Sequence, residues 1–179
     1  MIVKKNTIIF LITLMFLGLA WVSSVEAATY YVATTGNDTT GDGSSSNPWL
    51  TLNKAEASAA NGDTVHVAAG TYAEAKTTQI GLDSDKAITW IADGAVTVTG
   101  PTIASSRVLD LGGTTATSFS GFTFDGQGST DWIVYATNIN NKTFTNCTFQ
   151  NSDSYAILFA TGTGVSNNTI SNSTITVST

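Results

Sequence analysis

From residue 105 onward the chain carries two basic side chains, Arg107 and Lys142. Either is a candidate proton acceptor, but a Lys or Arg base must lose its own proton near working pH. That takes burial or neighbouring positive charge. Each stands just before a strand-like run, Val108–Leu111 and the run from Thr143, where a cation ordinarily flanks the strand in solvent. The two runs differ in kind, which predicts different faces for the two cations. Asp125, Asp131 and Asp153 are the carboxylates available to a hard cation such as Ca2+, which gathers about six to eight oxygens; turns also attract Asp for their own hydrogen bonds. Asp125 points outward if Phe124 points in, and Asp153 is expected one rung beyond Ser129, close to Asp131. Trp132 and Tyr155 begin strands, where an outward ring would stack on a sugar and an inward ring would only pack. Asp110 and Asp125 fall on different strands, so no adjacent acid pair offers itself for glycoside hydrolysis. The single His66 alternates with Val65 and Val67 and faces out.

These residues are positioned by a repeat. SFSGFTFDG at Ser118–Gly126, KTFTNCTFQN at Lys142–Asn151 and GVSNNTISN at Gly164–Asn172 are variants of one pattern. Aligned, Phe119, Phe144 and Val165 share one column, and Phe124, Phe149 and Ile170 another. The spacing agrees in both: Phe119 is as far from Phe144 as Phe124 is from Phe149, and Phe144 as far from Val165 as Phe149 from Ile170. A second apolar run lies between copies: Val108–Leu111, Trp132–Tyr135 and Tyr155–Phe159. Apolar residues alternate with Ser and Thr, the period of a strand buried on one face. No stretch from 105 to 179 has apolar residues at helical spacing. A strand-only repeat of about 20–25 residues predicts a solenoid. Stacked about 4.8 Å apart, the copies form an all-β parallel β-helix of five to seven coils, with Phe124, Phe149 and Ile170 superposed inside. In this register Asn146 aligns with Asn167 and Asn151 with Asn172, as stacked amides. An antiparallel sandwich would want hairpin dipeptides, which are scarce here.

Composition narrows the class. The 179 residues are 42% hydrophobic and 11% charged, with 2 prolines. Residues 1–27 read as a secretory signal peptide: Lys4 and Lys5, the apolar run Ile8–Val22, then Val25-Glu26-Ala27 with cleavage before Ala28. The apolar run is shorter than the roughly 20 residues of a membrane span. Residues 28–179 carry 5 Lys and Arg against 12 Asp and Glu, a net charge of −7. That balance excludes the basic stripe of a nucleic-acid binder and is awkward for gripping a polyanion unless calcium bridges the charges. Cys147 is the sole cysteine, so no internal disulfide forms and a buried apolar role is expected.

The mature chain opens with the strand Tyr30–Val32 and a turn-rich stretch to Pro48. A helix is expected over Asn53–Ala60, capped by Thr51 or Asn53 and ended by Asn61-Gly62. Strands follow at Asp63–Val67, Ile88–Ile91 and Ala95–Thr99. The residues Tyr30, Gly36-Asn37-Asp38, Pro48-Trp49-Leu50-Thr51, Ala55, Gly62-Asp63-Thr64-Val65 and Gly70-Thr71-Tyr72 carry a resemblance. The stretch Thr29–Glu74 resembles the N-terminal module of right-handed parallel β-helix proteins of the pectin lyase-like superfamily.

The resemblance implies a helix and strand that plug the first coil, covering apolar stack and unpaired edges. Residues 28–75 would form this cap and the first coil, and 76–179 the remaining coils. It also implies a context of extracellular polysaccharide or cell-surface glycan, bound or degraded. Lyases of the superfamily use a Lys or Arg base against a uronate C5 proton, commonly with calcium on the sugar carboxylate. Carried onto this chain, that base would be Arg107 or Lys142. The alternative is a non-catalytic structural or adhesive domain on the same scaffold. The strand-like run Ser173–Thr179 has no polar cap, which predicts the N-terminal part of a longer protein; a monomer, or part of such a longer chain, is expected.

Overall fold

A computed structural model describes residues 26–113, 115–137, 139–160 and 166–177. Most of the expected signal peptide, and Val165, lie outside these residues. The described strands are β1 (Thr29–Val32), β2 (Thr64–Ala73), β3 (Ile80–Asp83), β4 (Thr89–Thr99), β5 (Arg107–Leu111), β6 (Ser118–Thr137), β7 (Thr143–Thr145), β8 (Thr148–Ala160), β9 (Thr169–Ser171) and β10 (Thr174–Val177). All their pairings are parallel. A short helix, α1 (Leu52–Ser58), sits between β1 and β2. The chain is a parallel β-helix.

Its interior is a set of side-chain columns, because in-register parallel pairing puts like positions over one another. One column runs Tyr30, Val65, Trp90, Phe119, Phe144, Ile170. The rings of Trp90, Phe119 and Phe144 stack nearly parallel, with centroids 5.8 and 5.5 Å apart. A second column runs Tyr72, Val98, Phe124, Phe149, Ile175. The two columns meet edge to face, Phe119 against Phe124 at 5.5 Å and Phe144 against Phe149 at 5.3 Å, a favoured aromatic geometry. Leu82, Leu109, Val134 and Ile157 form the third wall.

The last described coil corrects the sequence alignment. Ile170 pairs with Phe144, not Phe149, and Ile175 takes the place above Phe149. From Val65 the column advances to Trp90, Phe119, Phe144 and Ile170, which makes four complete turns. That is fewer than the five to seven expected, because every coil is longer than the roughly 22 residues that such a repeat suggests. The asparagine columns shift with the register. Asn141, Asn146, Asn151, Asn167 and Asn172 all have φ between +48° and +60°, and none of them is buried. They are left-handed corners between short strands, a conformation that Asn tolerates better than most residues, rather than inward amides. Asn168 is turned to the coil instead: it accepts from the Lys142 N–H at 2.9 Å and donates to the Ile139 carbonyl at 3.2 Å.

The corner predicts its own mutational signature. Asn146→Ala is expected to cost about 1 kcal/mol, because Ala keeps the Cβ that left-handed backbone penalises and loses the short polar side chain that offsets it, while Asn146→Gly, with no Cβ, leaves stability within a few tenths. Denaturant titration of the two variants separates them; equal losses would mean that side-chain contacts, not backbone conformation, select Asn there.

The cap is built around carboxylates, Glu74 and Asp63 buried and Asp38 half-buried. Thr51 is the N-cap of α1, its hydroxyl accepting from Lys54 N at 3.0 Å, as one of the two expected caps. Asp38 holds Leu50 N, Thr51 N and the Thr51 hydroxyl. Glu74, just past the Gly70-Thr71-Tyr72 segment that ends β2, accepts from Leu52 N, Asn53 N and the Asn53 amide. Burial pushes the Glu74 carboxyl above its ordinary range, against those hydrogen bonds. Asp63 ties Ala28 N, where β1 begins, to Ala60 N just past the helix. The motif residues therefore serve as orphan-donor partners at the helix start and the first turn. Cys147 is buried in the core, as expected.

Candidate functional site

The outer surface of the sheet formed by β3, β5 and the C-terminal halves of β6 and β8 gathers the polar and aromatic residues. In each of its four rungs two consecutive residues, such as Val108-Leu109 and Ile133-Val134, turn away from solvent, and the residues flanking them sit three apart at the surface. This makes a ladder of pairs: Ile80 with Asp83, Arg107 with Asp110, Trp132 with Tyr135, Tyr155 with Leu158. Ile80, Arg107, Trp132 and Tyr155 lie in one register column, and Asp83, Asp110, Tyr135 and Leu158 in the other.

Contacts confirm that the two columns share a surface. Arg107 Nε donates to Asp110 Oδ2 at 2.6 Å. The Arg107 guanidinium lies 4.7 Å from the centre of the Tyr135 ring, within cation–π range. Trp132 meets Tyr135 edge-on at 5.5 Å. Tyr155 is 58% exposed, the most open large ring among the described residues. At the cap end the ladder runs into a cavity of about 190 Å³ between α1 and β3, lined by Glu56, Ala57, Lys76, Asp83, Asp85 and Lys86. Lys86 Nζ is committed there, donating to the carbonyls of Glu56, Ala57 and Ala59 at the end of α1. Burial, then the charges of Asp85 and Asp110, push the Asp83 carboxyl up. Burial also raises Asp110, opposed by Arg107.

Arg107, Trp132 and Tyr155, singled out from sequence, therefore converge. Sequence reasoning misses that Asp83, Asp110 and Tyr135 join them as a group. A strict period of two places Arg107 and Asp110 on opposite faces; the doublets Val108-Leu109 and Ile133-Val134 are the signal of a bent strand.

The remaining candidates lie elsewhere. Lys142 is 1% exposed, not a solvated flank; its Nζ donates to the Thr115 carbonyl at 2.8 Å and the Thr117 hydroxyl at 3.1 Å. Burial pushes its pKa below the ordinary lysine value. Asp125 accepts from Gln127 N, the Gln150 amide and the Asn151 amide. Burial works to raise its pKa, but those hydrogen bonds prevail and hold the carboxyl low. Asp131 accepts from Ser105 N at 2.8 Å and falls beside exposed Asp153 on the next rung, between the pairs Thr130–Ser152 and Trp132–Tyr155. Asp125 belongs to a different wall of the coil, in register with Gln150. The three aspartates do not assemble the oxygen set that Ca2+ requires, and among the described residues no group of three or more His, Cys, Asp or Glu does so. His66 faces out as expected, its Nδ1 2.9 Å from Asp93 and its ring stacked on Tyr31.

This architecture, with one capping helix among the described residues, defines the chain as a right-handed parallel β-helix. Residues 34–179 match the family described as a protein of unknown function, DUF1565, and the chain belongs to that family. No curated protein matches it. Its fold is similar to the crystal structure of pectate lyase Pel9A, with a TM-score of 0.65 and 22% identity over 84% of this chain and 40% of that one. A rhamnogalacturonan lyase matches more loosely, with a TM-score of 0.41 and 14% identity over 83% of this chain and 51% of the lyase. The chain thus spans less than half the length of the pectate lyase, and at this identity the likeness is one of fold.

Proposed function

We propose that this is a secreted β-helix domain that binds extracellular polysaccharide along the ladder surface. The observation that carries the reading is the register column Arg107, Trp132, Tyr155, with Tyr135 alongside. Tyr155 is exposed and Trp132 and Tyr135 are half-buried; a ring with an open face stacks on the apolar face of a sugar, and a solenoid presents such rings in a straight row that an extended glycan can follow. The similarity in fold to a protein named as a pectate lyase supports the choice of polysaccharide. Secretion rests on the leader-like residues 1–27 and is tested by N-terminal sequencing of the exported protein, with Ala28 expected first.

Binding is favoured over β-elimination by Arg107 itself. Its Nε already donates to Asp110 at 2.6 Å, and its guanidinium lies on the Tyr135 ring, so the side chain is committed to neighbours rather than open to a substrate proton. A lyase reading would need Arg107 released from Asp110 to reach a substrate. Affinity electrophoresis against a panel of soluble polysaccharides tests the proposal. Trp132→Ala and Tyr155→Ala should each weaken retention of the bound glycan about tenfold, or roughly 1.4 kcal/mol. Retention unchanged in both would overturn the site. Growth of unsaturated-product absorbance with a uronate polysaccharide, abolished by Arg107→Ala, would establish the lyase instead.

A further inference from the structure

We propose that the glycan of this surface is an amino-sugar polymer with free ammonium groups, and that Asp83 is the residue that selects it. The inference rests on the polysaccharide reading above and names the ligand's charge. Three observations carry it.

First, two of the three cations of the surface, Arg107 and Lys86, are already engaged. Arg107 is paired with Asp110 and lies on Tyr135, and Lys86 is bound to the carbonyls ending α1. Lys76 lines the cavity together with Asp83 and Asp85, whose two carboxylates outnumber it. A chain of uronates laid on the ladder would bring carboxylates to carboxylates, and among the described residues no group of three or more His, Cys, Asp or Glu stands ready to hold a bridging cation.

Second, the acids sit where a stacked glycan must pass. Asp83 and Asp110 are adjacent rungs of the column that continues into Tyr135. Three rung spacings, about 14 Å, separate the Asp83 rung from the Tyr155 rung. A glycan stacked on Trp132 and Tyr155 and lying along the solenoid axis therefore reaches Asp83 within a few sugar units.

Third, Asp83 has no side-chain hydrogen bond of its own among the described residues, whereas Asp110 holds Arg107 and Asp85 accepts from Gly112 N at 2.7 Å. An ammonium beside Asp83 would relieve its repulsion by Asp85 and Asp110. The net charge of −7 over residues 28–179 draws a polycation in and repels a polyanion. The surface suits stacking with cation recognition, since aromatic faces also attract ammonium.

The test is calorimetric titration of the full chain with three probes at low salt: a glucosamine oligomer with free amines, its N-acetylated counterpart and a galacturonate oligomer. The free-amine oligomer is expected to bind at least tenfold more tightly than the N-acetylated one, with the galacturonate weakest. Raising the salt should shrink the gap. Asp83→Asn should abolish the tenfold preference by bringing the free-amine oligomer down to the affinity of the N-acetylated one, while Asp83→Glu retains it. Trp132→Ala should weaken both glucosamine ligands together. Acidification should erase the preference as Asp83 takes up a proton in the company of Asp85, Asp110, Lys76 and Arg107. If the N-acetylated or galacturonate oligomer binds as well as the free amine, the inference falls and the polysaccharide reading stands. If no oligosaccharide binds, that reading falls, and this one with it.

Discussion

Phe124→Ala is expected to destabilise the protein by about 3–5 kcal/mol, the cost of deleting a large buried aromatic and leaving its space unfilled. Phe124 is fully buried, with ring centroids of Phe119, Phe122, Phe144 and Phe149 between 5.5 and 6.2 Å away. It therefore links two columns and neighbouring coils. In a solenoid, stability is close to a sum of coil-to-coil terms, so one residue at that junction weakens two interfaces together. Ile175 occupies the same column two coils on but is 51% exposed. Ile175→Ala should cost less than about 1 kcal/mol by comparison, since little apolar area is lost. Guanidinium unfolding of both variants measures the contrast. If the two losses are alike, stacking inside the coil is not what holds it together.

The second large effect belongs to Lys142. Its stem and ammonium are enclosed, and its partners are uncharged oxygens of Thr115 and Thr117. Enclosure lowers its folded pKa below the ordinary 10.5. Between the folded value and 10.5 the unfolded chain then holds more protons than the folded one, so stability rises with pH across that window. Below the window the charge penalty is present in full; above it the penalty is gone. Lys142→Met keeps the stem and removes the charge, and its stability should be flat across the same window and no lower than wild type at pH 7. The threonine oxygens keep other partners, because Thr117 donates to the Lys86 carbonyl and Thr117 N to the Thr115 carbonyl. Lys142→Ala, which empties the site, should cost about 2–5 kcal/mol. Coincident pH profiles for wild type and Lys142→Met would show that the lysine titrates in solvent.

Both residues mark how far local pattern reaches. Alternation alone places Phe124 in the interior, and the spacing of the repeat sets it on Phe149, as the pairing of β6 with β8 bears out. Lys142 escapes that reasoning, because a strand flank and a buried corner look the same along the chain. Its neighbours Cys147, Asn168 and Ser173 stand at like positions of successive short strands, and of these only Cys147 announces burial by type.

What the amino acids determined by themselves is the all-β coil, the inward faces and the capping module. Each depends on contacts between near neighbours or on a period repeated several times. The register of the last coil needed the tertiary structure, and the reason is visible in four pentads: Asn141-Lys-Thr-Phe-Thr, Asn146-Cys-Thr-Phe-Gln, Asn167-Asn-Thr-Ile-Ser and Asn172-Ser-Thr-Ile-Thr. Adjacent pentads are so alike that Ile170 matches Phe144 or Phe149 almost equally well. Only the length of chain needed to cross the third wall through β8 and return decides for Phe144. The ladder surface is the same kind of fact. Arg107 meets Asp110 and Tyr135 because a bend buries the two residues between each pair, and a bend is set by how walls join around a core, not by the residues of one strand.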